Sequence, residues 1–345
     1  MSEVKILFLN GTVMEELGAG DKRRAMEDVK EIYHLFNYRP APGETNKKLT
    51  IPDKVVLRFG ETQEDEHRYG RINAMPGRIQ DGALEVAGIK WIGSGPDNQR
   101  YGLPRASALV ILNDPITKVP ICIANATGVS AARTGASGGI AVEYLSRRDA
   151  TSMVVCGAGV QGRAQIDAAL LARPKIERIA VYDQLEEKAK AFVDRARSDY
   201  PQIRFVAVTS AELKEAVGRS DIVVTATTTD TPIIQADWVR KGQLLLNISG
   251  DEYERDCILR ADKTIVDFWT SIKHRNSSSI AHMVNDPQGL YWSFAPTAEM
   301  GEIINGDKPG RERDDEIIYF NAVGAGVRVY SERTFLNSEN LLYPR

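Results

Sequence analysis

Residues 151–162, TSMVVCGAGVQG, combine an apolar run with a glycine pattern that could bind a diphosphate. The run at 152–156 is short and partly β-branched, which is typical of a buried parallel strand. Gly157, Gly159 and Gly162 follow with the spacing G-x-G-x-x-G, and the apolar spacing of a helix comes next. In such a unit the glycines permit a tight turn, a close approach of the backbone to a pyrophosphate, and close packing of helix on strand. The free N–H groups that begin the helix would bind the anion.

The next predicted strand, RIAVYD, ends at Asp183, where an acid that binds a ribose hydroxyl is expected. Because strand, glycine turn, helix and acid occur together, the sequence predicts a dinucleotide site rather than a glycine turn without a ligand. A carboxylate at this position favours NAD over NADP, since it repels a 2′-phosphate.

Basic residues in apolar surroundings are candidates for binding an anionic substrate, because an unpaired buried cation is costly. Lys90 is flanked by apolar residues in VAGIKWIG, and Arg133 lies among small residues shortly before the nucleotide-binding strand. Lys54 and Arg58 lie in an apolar strand-like segment, where an exposed strand face is an equally good interpretation. Arg105 precedes a predicted hairpin. A cluster of such cations could hold the carboxylate of an amino acid.

Two adjacent acids, Asp251 and Glu252, follow the apolar run LLLNISG and are candidates for proton transfer. A carboxylate there could accept a proton from an amine or from water, with its pKa adjusted by burial. The alternative is a pair of acids favoured by the start of a helix.

The elements that must position these residues fall into two parts. From residue 151 onward strands and helices alternate, which predicts a doubly wound parallel sheet with ligands at the carboxyl ends of its strands. The preceding part predicts a mostly β region with one amphipathic helix at 22–36 and a hairpin at 106–125. A small-residue helix at 126–148 leads into the nucleotide domain, and a strand at 316–324 and a final helix at 326–341 end the chain.

The overall composition is that of a globular protein with 345 residues, 43% hydrophobic and 26% charged. A net charge of -3 without a long basic run argues against a nucleic-acid partner. Three cysteines without paired spacing favour buried thiols over disulfides or a metal site, and the four histidines show no ligand spacing. The absence of a signal-peptide pattern and of any membrane-length apolar run predicts a cytoplasmic protein.

The order of motifs resembles that of the ornithine cyclodeaminase/mu-crystallin family over nearly the whole chain. The segments that carry the resemblance are GIKWIG, RASALVILNDP, SAARTGA, CGAGVQG, VYD, LNISGDE and FNAVG. The resemblance implies an α/β fold in which a Rossmann-type doubly wound parallel sheet, residues 131–316, binds NAD. Residues 1–130 with 317–345 would form an α+β domain for substrate binding and dimerisation, in a homodimer without nucleic-acid or membrane partners.

The resemblance also implies roles for single residues. Lys54 and Lys90 would bind the substrate carboxylate, with Arg58 as an alternative to Lys54, and Lys90 would also take part in catalysis. Arg133 would lie between substrate and nicotinamide, and the family's catalytic aspartate falls on Glu252, with Asp251 beside it. Val323 would also contact the substrate. The implied cofactor-binding residues are Arg105, Arg133, Gly157, Gly159, Val160, Gln161, Gly162, Asp183, Thr227, Leu246, Asn247, Ile248, Ser249 and Gly324.

Within the family, the variants WIGS, VYDQ, FVDR and GDKPGRERDDEII look most similar to dehydrogenases of 2,3-diaminopropionate biosynthesis. This implies NAD-dependent, opine-type oxidation of N-(1-amino-1-carboxy-2-ethyl)-glutamate to 2,3-diaminopropionate and 2-oxoglutarate, for siderophore or peptide-antibiotic synthesis. The alternatives are a redox-neutral ornithine cyclodeaminase, which forms proline and ammonia, and a ketimine reductase. A non-catalytic protein that binds a hormone and NADPH is an alternative of a different class.

Overall fold

A computed structural model describes residues 4–39, 47–61, 68–82, 84–273, 278–322 and 324. They form two compact units, which divide between Arg133 and Thr134. The first unit contains the described residues up to Arg133, and the second unit spans Thr134–Gly324. Each unit has a sheet of its own.

The first unit consists of a mixed sheet and two helices, α1 and α2. Across the sheet the described strands run in the order β1-β7-β6-β5-β4-β2, β3 also pairs with β4, and β1 and β7 pair in parallel while the others are antiparallel. The elements are β1 (Leu7–Leu9), α1 (Gly11–Glu16), α2 (Lys22–Phe36), β2 (Lys47–Thr50), β3 (Val55–Arg58), β4 (Arg71–Asp81), β5 (Leu84–Ser94), a 3₁₀ helix (Pro96–Tyr101), β6 (Ala106–Asn113) and β7 (Pro120–Asn125).

Helix α2 has the bounds that its sequence pattern predicts. Asp21 caps it by accepting a hydrogen bond from the Arg24 N–H at 3.0 Å. Its buried side chains recur every three or four residues, as in Val29 and Ile32, and Ile32 lies in one core with the strand residues Val110 and Ala124. One face of the sheet is thereby covered by the helices.

The second unit begins within α3 (Thr127–Leu145), and a sheet of eight described strands forms its centre, all of them parallel. The strands are β8 (Ser152–Cys156), β9 (Arg178–Tyr182), β10 (Arg204–Val208), β11 (Ile222–Thr225), β12 (Leu244–Asn247), β13 (Lys263–Val266), β14 (Ala298–Glu299) and β15 (Ile318–Asn321). The helices are α4 (Val160–Ala172), α5 (Glu186–Asp199), α6 (Leu213–Arg219), α7 (Arg255–Leu259), α8 (Trp269–Lys273), α9 (Ser279–Val284) and α10 (Met300–Ile304), with a 3₁₀ helix at Ala236–Trp238.

The strand order in the second unit is β10-β9-β8-β11-β12-β15-β13-β14. Its first five positions are the third, second, first, fourth and fifth strands of the unit, which is the dinucleotide-binding order. The order reverses between β8 and β11, so a ligand crevice is expected at the carboxyl ends of these two strands. The predicted Rossmann-type doubly wound sheet is confirmed.

The predicted domain boundary at 317 is corrected by β15. This strand lies between β12 and β13, with Ile318 in register with both Leu244 and Lys263, and all four of its residues are buried. An apolar run that is buried on both faces is stable inside a parallel sheet, and this places it in the second unit. Helix α3 crosses the other boundary, and the predicted final helix lies outside the described residues.

All three cysteines are buried free thiols, as predicted. Burial raises the pKa of each thiol, so none of them is a ready nucleophile. In the part of the chain that the structure describes, no helix is both long and apolar enough to cross a membrane. No group of three or more His, Cys, Asp and Glu side chains in that part could hold a metal ion.

Candidate active site

The turn at residues 157–162, here called the glycine turn, follows β8 at the point where the strand order reverses. Gly157 has φ 113°, and a Cβ there would collide with the Ala226 carbonyl oxygen. A Cβ at Gly162 would collide with the Gly157 carbonyl oxygen, so the start of α4 can lie this close to β8 only with glycine. Gly159 differs, since a Cβ there would have no heavy atom of the described residues within 4 Å, apart from its chain neighbours.

The open side of the glycine turn fits a diphosphate. Gly159 is the N-cap of α4, a helix of 13 residues, and the next side chain, Val160, is 70% exposed. The first N–H groups of such a helix have no acceptor within the helix and carry partial positive charge. Gln161 follows Val160 in this turn, and its side-chain amide nitrogen is a donor that could bond to an anion. The predicted residues of this turn are therefore brought together as a cradle for an anion.

Asp183 lies beside the glycine turn, because Cys156 and Tyr182 are in register in the sheet. Its Oδ2 accepts a hydrogen bond from the Ala158 N–H at 3.0 Å, and its Oδ1 accepts one from the Leu185 N–H at 3.0 Å. These bonds fix the carboxylate at the end of β9, the position that the sequence predicts for a ribose-binding acid.

A second turn, residues 247–253, follows β12 and is here called the carboxylate turn. At its centre the Glu252 side chain is 0% exposed. Its Oε1 accepts hydrogen bonds from the backbone N–H and the hydroxyl of Thr227, both at 2.6 Å. Its Oε2 accepts hydrogen bonds from Asn247 Nδ2 at 2.8 Å and from the Gly250 N–H at 3.3 Å. Glu252 therefore ties the turns after β11 and β12 together.

The environment of Glu252 favours a structural role over its predicted role as the base. Burial raises its pKa, and hydrogen bonds from Thr227, Thr225 and Gly250 oppose that rise by favouring the ionised form. A group that is completely enclosed and bonded in this way cannot reach a substrate without breaking the turn. The local sequence does not reveal this environment, because two of the donors belong to Thr227, 25 residues earlier.

Asn247 is also bonded within the protein. Its Oδ1 accepts hydrogen bonds from the Tyr319 hydroxyl at 2.8 Å and from Asn321 Nδ2 at 3.1 Å, while its Nδ2 donates to Glu252. Its side chain thus supports the turn instead of reaching outward. Of the other predicted cofactor-lining residues on this strand end, Leu246 and Ile248 are buried and Ser249 is exposed.

Asp251 has the opposite environment to its neighbour Glu252. Its side chain is 20% exposed, and its Oδ2 lies 4.0 Å from Nδ1 of His282. Burial raises the pKa of Asp251, and the nearby His282 acts against that rise. Because this carboxylate is partly exposed, it can exchange protons with water or with a bound group. Of the two predicted candidates, only Asp251 is accessible.

Lys90 is the most buried of the predicted cations in the first unit. Its Nζ donates a hydrogen bond to Ser130 Oγ at 2.8 Å, and it lies opposite Met75 in the sheet. Since side chains alternate along a strand, Arg71 lies on the same face of β4 as Met75 and therefore on the face of Lys90. Arg58 is in register with Arg71 and shares this face.

Sequence reasoning missed Arg71, although it alternates with apolar residues in RINAMP, which is the signal that could have found it. Burial lowers the pKa of Arg105, and the positive charge of Arg71 lowers it further. Two guanidinium groups that act on each other in this way are suited to a shared anion. The structure thus groups Arg105 with the cations of the first unit.

The remaining predicted residues are placed as follows. Lys54 is half-buried just before β3, Arg58 is exposed, and Arg133 is half-buried in α3 at the end of the first unit. The Gly324 N–H donates a hydrogen bond to Asp267 Oδ2 at 2.8 Å. Val323 lies outside the described residues.

Comparison with known protein families shows which family has this fold and these two turns. The family model described as the ornithine cyclodeaminase/mu-crystallin family matches residues 51–337. The chain belongs to this family. The resemblance that the sequence motifs indicate is therefore confirmed.

Three similar proteins match this chain over almost its whole length. The N-((2S)-2-amino-2-carboxyethyl)-L-glutamate dehydrogenase of Staphylococcus aureus is 35% identical over 333 residues, which cover 96% of this chain and 94% of that protein. An archaeal alanine dehydrogenase dimer with bound NAD has a TM-score of 0.80 at 30% identity, covering 97% of this chain and 96% of that one. The Δ1-pyrroline-2-carboxylate reductase of Thermococcus litoralis, in complex with NADH and L-proline, has a TM-score of 0.80 at 28% identity, covering 97% and 98%.

Proposed function

We propose that this protein is an NAD-dependent dehydrogenase that oxidises the C–N bond of an N-substituted amino acid, with N-(1-amino-1-carboxy-2-ethyl)-glutamate as its substrate. The observation that carries the proposal is the pairing of an open glycine turn with the accessible acid Asp251 on one sheet edge. The substrate follows from the dehydrogenase of Staphylococcus aureus, which matches along nearly the full length. The products are 2,3-diaminopropionate and 2-oxoglutarate.

In the second unit the glycine turn and the first N–H groups of α4 would bind the diphosphate of NAD, and Asp183 would bind the adenosine ribose. Bound NAD supplies the acceptor for a hydride from the substrate carbon that carries the secondary amine. Asp251 accepts the proton of that amine and releases it to solvent, then accepts a proton of the water that attacks the resulting imine and returns it to the amine nitrogen as the C–N bond breaks. Glu252 keeps the turn that carries Asp251 in place through its bonds to Thr227 and Asn247.

In the first unit the face that carries Lys90 would bind the carboxylates of the substrate. Lys90 is held by Ser130, and Arg71 lies on the same face. Several cations in one region suit a substrate with more than one carboxylate better than they suit a monocarboxylic amino acid such as alanine. This charge pattern supports the glutamate-derived substrate.

The protein is further proposed to be a homodimer through the sheet face opposite the helices of the first unit, here called the outer face. Exposed apolar side chains on it are Phe8, Val55, Leu57, Trp91 and Leu109. The strand register places Val55 opposite Ala74, Ala74 opposite Trp91, and Trp91 opposite Leu109, so three of them follow one row across the sheet. An apolar row of this length is typical of a surface that a second subunit covers. The archaeal alanine dehydrogenase, a dimer, supports this.

A cytoplasmic location is also proposed, since three buried cysteines that remain free thiols suit a reducing compartment.

The proposed dimer is tested by the mass of the purified protein in solution. A double change of Trp91 and Leu109 to serine should give monomers, whereas a monomeric wild-type protein would contradict the proposal.

The reaction is tested by mixing purified protein with NAD and N-(1-amino-1-carboxy-2-ethyl)-glutamate. We expect NADH, measured by its absorbance, and 2-oxoglutarate in equal amounts. Alanine, proline and ornithine serve as comparison substrates. Proline and ammonia formed from ornithine without net NADH would instead indicate a cyclodeaminase, and oxidation of proline would indicate a reductase of cyclic imines. Binding of NAD without any turnover would indicate a non-catalytic protein.

A further inference from the structure

The accessible acid Asp251 has a titratable neighbour that the sequence motifs do not include. His282 lies in the last turn of α9, and its Nδ1 is 4.0 Å from Asp251 Oδ2. The two side chains are 38% and 20% exposed, so both are in reach of water. No part of the family resemblance assigns a role to this histidine.

Ser279 fixes α9 against the carboxylate turn and thereby fixes the position of His282. Its Oγ accepts hydrogen bonds from the backbone N–H groups of Glu252 and Tyr253, both at 3.0 Å. These two bonds use the acceptor capacity of the hydroxyl, so its own proton is left to be donated, and the Asp251 carboxylate is an acceptor for it. His282 follows Ser279 by three residues and therefore lies on the same side of the helix.

The charged groups around Asp251 come from three elements. His282 faces it from α9, Arg255 faces it from α7, and Asp230 faces it from the segment after β11. Arg255 also forms an ion pair with Asp286 at 2.8 Å and lies over the ring of Tyr291, which shares its charge among several partners. Of these groups, His282 is the one with a nitrogen placed 4.0 Å from the Asp251 carboxylate.

We propose that His282 is a positioning residue that keeps Asp251 ionised through its imidazole, whose Nδ1 lies 4.0 Å from the carboxylate. This inference rests on the proposed function, in which Asp251 must be ionised to accept a proton. Burial alone favours the protonated, inactive acid, and an adjacent imidazolium opposes it. The pair therefore extends activity toward lower pH than an isolated buried carboxylate would allow.

The kinetic test compares the pH dependence of kcat/KM in wild-type protein and in His282→Gln. Removal of the positive charge should move the acidic limb of the profile upward by about one pH unit. The rate would then fall by up to about tenfold on the acidic limb and stay within about twofold at pH 9. His282→Lys keeps a positive charge and should retain the wild-type acidic limb. His34→Gln, the same change in α2 of the first unit, is the matched control and should leave the profile unaltered.

An independent readout needs no turnover. Protein labelled with ¹³C at the aspartate carboxyl carbons is titrated by NMR, and the Asp251 signal is identified by its loss in Asp251→Asn. We expect the titration midpoint of this signal to be about one pH unit higher in His282→Gln than in wild type, and to be unchanged in His282→Lys. Identical midpoints in wild type and His282→Gln would overturn the inference. A wild-type protein that shows the expected midpoints but oxidises none of the test substrates would instead contradict the proposed function.

Discussion

The glycine turn and the carboxylate turn lie at the same edge of the parallel sheet but are built in opposite ways. The glycine turn owes its shape to side chains that are missing, because a Cβ at Gly157 or Gly162 would collide with backbone oxygens. The carboxylate turn owes its shape to side chains that are present, because Glu252 and Asn247 are enclosed in hydrogen bonds.

This difference determines how each turn responds to change. The glycine turn is disrupted when a side chain is added at Gly157 or Gly162, where there is no room for a Cβ. A turn that depends on buried polar groups is weakened when one partner no longer matches, because the remaining groups lose their hydrogen bonds without regaining water. Four substitutions test this comparison, beginning with the largest expected effect.

Gly162→Val should damage the fold of the second unit most. Its side chain would meet the Gly157 carbonyl, and we expect a loss of about 4 kcal/mol in the free energy of unfolding, measured with denaturant. Gly159→Ala in the same turn is the matched control, since its methyl group enters open space. It should leave stability unchanged and lower NAD affinity about tenfold, because the backbone can no longer closely approach the diphosphate. Equal stability losses in both variants would refute this account of the glycine turn.

Asp251→Asn should abolish most activity without affecting the fold. The amide cannot accept a proton, so kcat is expected to fall about a hundredfold to a thousandfold, roughly 3–4 kcal/mol in activation free energy. The melting temperature and the affinity for NAD should stay at their wild-type values, since the side chain is partly exposed. A variant with wild-type kcat would remove Asp251 from the proposed chemistry.

Glu252→Gln should lower stability more than activity, which is the opposite of the effect expected for Asp251→Asn. All four groups that contact the carboxylate within 3.3 Å are donors, and the new amide nitrogen cannot accept from them. We expect a loss of about 2 kcal/mol in the free energy of unfolding. Activity per folded molecule, measured well below the melting temperature, should fall less than in Asp251→Asn. The reverse order of the two activities would show that Glu252 is the base.

Asp183→Asn should have the smallest effect. The amide oxygen can still accept the Ala158 N–H, and the exposed Leu185 N–H that loses its acceptor can bond to water, so stability should change little. NAD affinity should fall about tenfold, or roughly 1.4 kcal/mol, while NADP affinity should rise because the repulsive charge is gone. Titration of both cofactors measures this, and an unchanged ratio of the two affinities would argue against ribose recognition by Asp183.

Much of the fold could be read from local patterns. The helix at 22–36, the hairpin strands and the alternating elements of the second unit follow from apolar periodicity, which acts between residues close in sequence. The place of β15 could not be read in this way, because an apolar strand does not reveal which neighbours it pairs with. Arg71 was missed for a related reason, since only the register with β5 brings it to the face of Lys90.

By itself the sequence determined the glycine turn, the acid at the end of β9 and the family, because each depends on residue types at fixed short spacings. Only the tertiary structure distinguishes the environments of the adjacent acids Asp251 and Glu252. Their difference is made by Thr227, by His282 and Ser279 of α9, and by Tyr319 of β15, which approach from distant parts of the chain. Burial and hydrogen bonding are properties of that assembly, and they enclose one carboxylate in hydrogen bonds and leave the other partly exposed.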